Sequence, residues 1–250
     1  MRAVIVLISL LAWSLSAQAV EVLVHSSEAL LGGNAREGLD FSVVVREDHV
    51  VLVEIYLSEK QFIAHIDYTR RTLAIQSLDS QTVAAVSISS DDIASFKRFL
   101  RAVSLERSRV AEALISTMTW LADHPPHVVV DLHTGRLYQQ HLAPHPYTSL
   151  CANIGQMVLA QYTIDGMVQK EWVLVGPCAS DGCLGRCGTG CASNPGNPAE
   201  VQRYTQECLN HDVCNRDTNP WDPLGLFPPC SDEFAAAAEG YFFAPDCPQC

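Results

Sequence analysis

The sequence predicts an α+β chain in two unlike parts: an N-terminal antiparallel sheet with a long helix, then a C-terminal, disulfide-rich and mainly helical part. Three observations carry this expectation. Short apolar, β-branched runs alternate with polar connectors from Val20 to Ile88. A single apolar stripe at three/four spacing follows, from Ile93 to Leu121. All 10 cysteines lie between Cys151 and Cys250. The change in composition divides the chain into residues 1–19, 20–146 and 147–250.

Residues 1–19 read as a cleaved secretory signal. Arg2 is followed by the apolar run Ala3 to Leu15 and by Ala17-Gln18-Ala19, a small-residue ending that suits cleavage. The expected location is therefore secreted or periplasmic. An even cysteine count behind such a signal reads as a disulfide framework. The formal net charge is −12, and −13 once Arg2 is removed. An acidic surface argues against nucleic acid as a partner and gives no preference for anionic membranes.

In order, Val20 to Val24 reads as a strand, and the polar, Gly-rich stretch Ser26 to Gly38 as a connector. Phe41 to Val45, Val50 to Leu57, Phe62 to Ile66, Leu73 to Leu78 and Val83 to Ile88 continue as an antiparallel meander. Ser89 supplies an N-cap, and Asp91 and Asp92 a negative first turn. Ile93, Phe96, Leu100, Val103, Val110, Leu114, Met118 and Leu121 trace one helix face, with a break at Ser104 as an alternative and Pro125-Pro126 as the stop. His127 to Leu132 and Arg136 to Leu142 suggest a hairpin. His124, His127, His133, His141 and His145 read as exposed residues around it. Gln156 to Ile164 and Met167 to Val175 flank Asp165-Gly166, a two-residue hairpin signal.

The chemistry is concentrated in Arg203 to Cys214, which holds His211-Asp212 between Cys208 and Cys214. If Ala199 to Asn215 is a helix, Val201, Tyr204, Cys208, His211 and Asn215 share a face, with Pro198 in the first turn and Glu200 at the positive end of the dipole. Upstream, Arg186-Cys187-Gly188-Thr189-Gly190-Cys191 is a loop in which glycines let successive carbonyl oxygens converge, as hard cations require. Loop and helix together resemble the secreted phospholipase A2 family, over about residues 176–250. Cys187, Gly188 and Gly190 fall on its calcium-loop pattern. Cys208, His211, Asp212 and Cys214 fall on its helix motif. Arg186, Cys191 and Glu207 depart from the pattern, standing for the loop Tyr, the last loop Gly and the first Cys of the helix motif.

The resemblance implies a Ca²⁺-dependent phospholipase A2-like hydrolase of phospholipid acyl esters acting at a membrane surface. His211 is then the base that activates water. Asp212 and the carbonyls of Arg186, Gly188 and Gly190 hold Ca²⁺. Asp232, or Glu233 beside it, orients His211. By the same analogy Cys187 bridges Cys208, and Cys214 bridges Cys230. Asp232 also reads as a helix-start charge after Pro228-Pro229, with Ser231 as cap. No Gly-x-Ser-x-Gly elbow competes as a nucleophile. The competing class is a non-catalytic, disulfide-stapled binding module on the same scaffold. A structural zinc site from Cys187, Cys191, Cys208, His211 and Cys214 is a further alternative, disfavoured where thiols oxidise. The N-terminal part has no chemical signature. Its open roles are docking to a protein partner, restraint of the enzyme and presentation to a membrane.

Overall fold

A computed structural model describes residues 20–47, 49–133, 147–176, 184–188, 202–218 and 230–247. The signal, the run 136–142, His141, His145, Gly190 and Pro198 to Val201 lie outside them.

The N-terminal half is a meander of seven antiparallel strands paired in chain order. These are β1 (Glu21–His25), β2 (Ala29–Asn34), β3 (Leu39–Glu47), β4 (Val50–Leu57), β5 (Lys60–Asp67), β6 (Thr72–Asp79) and β7 (Asp131–His133). Alternation puts Phe41, Val43, Val51, Val53, Ile55, Phe62, Ala64, Ile66, Leu73 and Ile75 on one buried face. Helices α1 (Ser90–Ala102) and α2 (Arg109–Asp123) cover that face. Ring pairs key the layers together: Phe41 meets Phe99 edge-on at 5.6 Å, and Phe62 meets Phe96 at 5.2 Å.

The expected N-cap of α1 is Ser89, which also forms a reciprocal capping box with Asp92. Lys60 then pairs with the same Asp92 at 2.6 Å, tying the helix start to β5.

Several expectations need correction here. The apolar stripe is not one long helix but two, broken between Ala102 and Arg109 as the Ser104 alternative has it, and Ser108 caps the second. Strand β2 occupies part of the expected connector. Val83 to Ile88 forms no strand, only isolated bridges from Ala85 to Leu78 and from Ser87 to Val129. Asp131–His133, at the end of the first arm expected of the 127–142 hairpin, forms β7 and pairs with β6; the second arm lies outside the described residues.

The C-terminal half is not mainly helical, which overturns the predicted fold class for that part. It contains a two-stranded sheet, β8 (Met157–Ile164) with β9 (Met167–Leu174), and two helices, α3 (Gln206–Thr218) and α4 (Ser231–Phe243). Asp165 and Gly166 take positive φ at the hairpin turn, as the Asp-Gly signal requires. Helix α3 starts at Gln206 rather than near Ala199 because the residues before it are extended. Tyr204 bridges Arg186 on one side, and Thr205 bridges Ser149 on the other. Thr205 Oγ1 accepts the Cys208 N–H at 3.1 Å, so Thr205 caps the helix, and Glu207 rather than Glu200 is its first-turn carboxylate.

The two halves share a core. Phe234, Ala237, Ala238, Tyr241 and Phe242 of α4 belong to the same buried cluster as the sheet and α1–α2. Arg203, 6 % exposed, donates to Ser116 Oγ of α2 at 2.9 Å and to the Tyr241 carbonyl of α4. A buried guanidinium needs such acceptors to offset its lost hydration.

Candidate active site

Both disulfides implied by the resemblance are present. Cys187–Cys208 ties the 184–188 loop to α3, and Cys214–Cys230 ties α3 to the start of α4. A third, Cys151–Cys247, fastens the start of the C-terminal half to the segment after α4. Cys187, Cys208 and Cys214 are oxidised in pairs, which removes three of the four thiolates of the zinc alternative.

His211 and Asp212 sit in the middle of α3. The His211 ring is 5 % exposed and packs on the Phe234 ring at 5.0 Å. Burial lowers its pKa to about 4, so the imidazole is neutral across the neutral range. Its Nε2 lies 2.8 Å from the Asn215 side-chain amide, one turn on, and its Nδ1 lies 3.9 Å from an Asp212 oxygen. Asn215 Nδ2 faces Nε2 and donates to it, which puts the ring proton on Nδ1; with the amide flipped, Nε2 carries the proton and Nδ1 is left as the base.

Asp212 accepts the Gly185 N–H at 2.8 Å, so the loop touches the predicted metal ligand directly. Its carboxyl is raised well above the usual carboxylate range. Burial is the main cause, and the charge of Asp123 adds to it. The Gly185 N–H and the Arg186 guanidinium oppose the rise. Asp123 comes from the last turn of α2 and accepts a hydrogen bond from Tyr241 Oη at 2.8 Å. Burial pushes Asp123 up to about 7, and the Tyr241 hydrogen bond opposes that shift. Two carboxyls, one from each half of the chain, thus lie close enough to feel each other's charge and that of the Arg186 side chain.

The donor set suits a hard divalent cation in kind, because every candidate is oxygen. The bridge between Arg186 and Tyr204 uses Gly185 O and Cys187 N, which turns the Arg186 carbonyl to the opposite edge. The Asp212 carboxylate and the carbonyls of Arg186 and Gly188 belong to adjoining segments, and cationic charge would relieve the Asp212–Asp123 repulsion. Gly190 is outside the described residues.

Both residues expected to orient His211 lie at the start of α4. Asp232 occupies the first turn of α4, with its side chain outside the described residues; Cys230, not Ser231, is the cap position. Glu233 Oε1 accepts the Thr163 N–H of β8 at 2.5 Å, anchoring the hairpin to α4. Asn215, read in the sequence only as a residue on the same face, is the neighbour of Nε2. Glu207, which stands where the family has a cysteine, accepts the Thr148 N–H at 3.2 Å.

Sequence reasoning missed Asp123, Tyr241 and the aromatic wall. Trp120 stacks on Phe234 at 5.0 Å, and His124 meets both rings edge-on. His124 is therefore buried at 7 % exposure, not exposed as expected. The i, i+4 spacing of Trp120 and His124 was a local signal for that contact.

Residues 151–247 match the family model described as a domain of unknown function, DUF8213. The match begins and ends on the half-cystines of the Cys151–Cys247 bridge. No curated protein and no solved structure matches the chain.

Proposed function

We propose that the chain is a secreted, Ca²⁺-dependent hydrolase of phospholipid acyl esters. The observation that carries this reading is the joining of loop and helix: Cys187–Cys208 and the Gly185–Asp212 hydrogen bond hold the carbonyl-bearing loop against the His211-Asp212 pair. Ca²⁺ bound there would polarise the ester carbonyl and stabilise the developing oxyanion. Asp212 and the carbonyls of Arg186 and Gly188 would hold it. His211 takes the proton of the attacking water, and its neutral state at pH 7 is the form a base needs. With its amide oxygen turned to Nε2–H, Asn215 would hold the ring and leave Nδ1 free as the base. Phe234, itself stacked on Trp120, packs against the imidazole. The disulfides fit an oxidising compartment.

One observation favours the non-catalytic binding module. His211 is almost wholly buried, which suits a packed structural histidine. Fatty-acid release from mixed phospholipid vesicles by the mature, oxidised protein separates the two readings. The hydrolase requires release that depends on Ca²⁺, stops with a chelator and is lost in His211→Gln at unchanged circular dichroism. Folded, Ca²⁺-loaded protein that releases nothing over a range of head groups is the binding module.

A further inference from the structure

The β8–β9 hairpin stands on the helices by one face only. Its inner residues Val158, Ala160, Tyr162 and Val173 join the smaller core with Leu209 and Val213 of α3. Its β8 backbone is pinned by side chains: Asn210 accepts the Gln161 N–H at 2.9 Å, and Gln206 donates to the Leu159 carbonyl at 3.1 Å. The opposite face is apolar and exposed. Register places Met157 across from Leu174, Leu159 from Trp172, Gln161 from Lys170 and Thr163 from Val168. Trp172 is 62 % exposed, Val168 58 % and Met157 54 %. Side chains of this size, gathered on one face, mark a surface that meets something apolar.

Charge selects the occupant. The chain has 28 Asp and Glu to 16 Lys and Arg, yet these eight cross-strand positions hold no carboxylate. Their one charge is the Lys170 amine; Asp165 sits at the turn. Glu171 points to the inner side, where Arg216 pairs with it. A tryptophan among aliphatic side chains, with one lysine able to extend to a phosphate, suits the headgroup boundary of a bilayer. The acidic remainder of the chain is repelled by anionic lipid, so the complementary surface is one of no net charge.

We infer that the outer face of the β8–β9 hairpin docks the protein on zwitterionic phospholipid. This rests on reading the site as a phospholipid hydrolase, and it places the docking surface one element away from the His211 helix. The test uses flotation of the full mature protein with vesicles of diether phosphatidylcholine, which offer no ester, so that binding is read without catalysis. The wild type is expected to float. Trp172→Ser with Leu174→Ser is expected to weaken partitioning by roughly tenfold or more, since two large apolar side chains leave the interface. Its circular dichroism, and its hydrolysis of monomeric short-chain phosphatidylcholine, should be unchanged. Doping the vesicles with phosphatidylserine should weaken binding. A wild type that does not float, a variant that floats equally well, or tighter binding to the anionic vesicles would each overturn the inference. So would a wild-type dimer that the double variant dissociates, since a second copy would then be what covers the face. Vesicle binding without hydrolysis of monomeric lipid would sustain the docking surface while removing the hydrolase.

Discussion

The two halves of this molecule are held together by different means. In the sheet half, order comes from contiguous burial: strands β3 to β6 each place two or more wholly buried side chains against Phe96, Phe99, Leu114 and Met118. In the cysteine half the apolar cluster is small. Among the described residues, three bridges and many side-chain to backbone hydrogen bonds replace it, with Glu233 accepting from Thr163, Asn210 from Gln161 and Asp212 from Gly185. A half built this way can place polar and charged groups close together, which an apolar core cannot. The candidate site lies where the second kind of construction meets the first.

The comparison can be broken most forcefully from the sheet side. Phe62→Ala removes a wholly buried ring that meets Phe96 edge-on, and is expected to destabilise by about 3–5 kcal/mol. Because α4 belongs to the same core, denaturant melts followed in the sheet and in the α3–α4 region should move together. Loss of the sheet signal alone would show the halves to be energetically independent.

From the other side, replacing Cys214 and Cys230 together by Ala opens a bridge of sequence separation 16. The expected loss is about 3 kcal/mol. Hydrogen exchange should rise first in α3 and the start of α4 while β3 to β6 stay protected. Uniform loss of protection would contradict the division of labour.

How much of this was legible follows the same division. Ser89, Asp91 and Asp92 announced α1, and Asp165-Gly166 announced the hairpin, because caps and turns are set by a few adjacent residues. Strand β2 was hidden by Gly32-Gly33. A Cβ at Gly32 would lie 2.3 Å from the Glu21 carbonyl and 2.7 Å from the Phe41 ring, so glycine there answers close packing rather than a loop. The false helical start before Gln206 arose because Tyr204 and Cys208 keep helical spacing, while pairing with Arg186 and Ser149, invisible locally, holds the segment extended. The bridges Cys187–Cys208 and Cys214–Cys230 were legible through the family resemblance. Asp123 and Tyr241 were not, since 118 residues separate them and only the packing of α2 on α4 brings them together.

The seam between the halves also carries opposed titrations. Burial lowers His124 to about 4, so between pH 6.5 and 4 the unfolded chain binds more protons, and stability falls as pH falls. This contribution reaches up to about 3 kcal/mol. Asp123, raised to about 7, acts the other way: the folded state holds its proton longer, and stability falls as pH rises from about 4 to 7. In His124→Gln the acid-side loss should shrink, and thermal melts from pH 4 to 7 should show stability declining with pH more steeply than in the wild type. An unchanged profile would mean that His124 does not stay neutral in the folded protein.

The smallest expected effect addresses the site itself. Asn215 lies 2.8 Å from His211 Nε2, and an amide holds an imidazole without favouring its charged form. Asn215→Asp puts a carboxylate at that position, nearly isosteric, and should raise the His211 pKa from about 4 because an adjacent negative charge stabilises the imidazolium. Each unit of rise corresponds to about 1.4 kcal/mol between the two protonation states. In the hydrolase reading, the acid limb of the rate profile must move upward with the His211 titration followed by NMR, since a base works only while unprotonated. A shifted titration with an unshifted rate profile would take the proton-accepting role away from His211 and leave Asn215 and His211 as partners in packing alone.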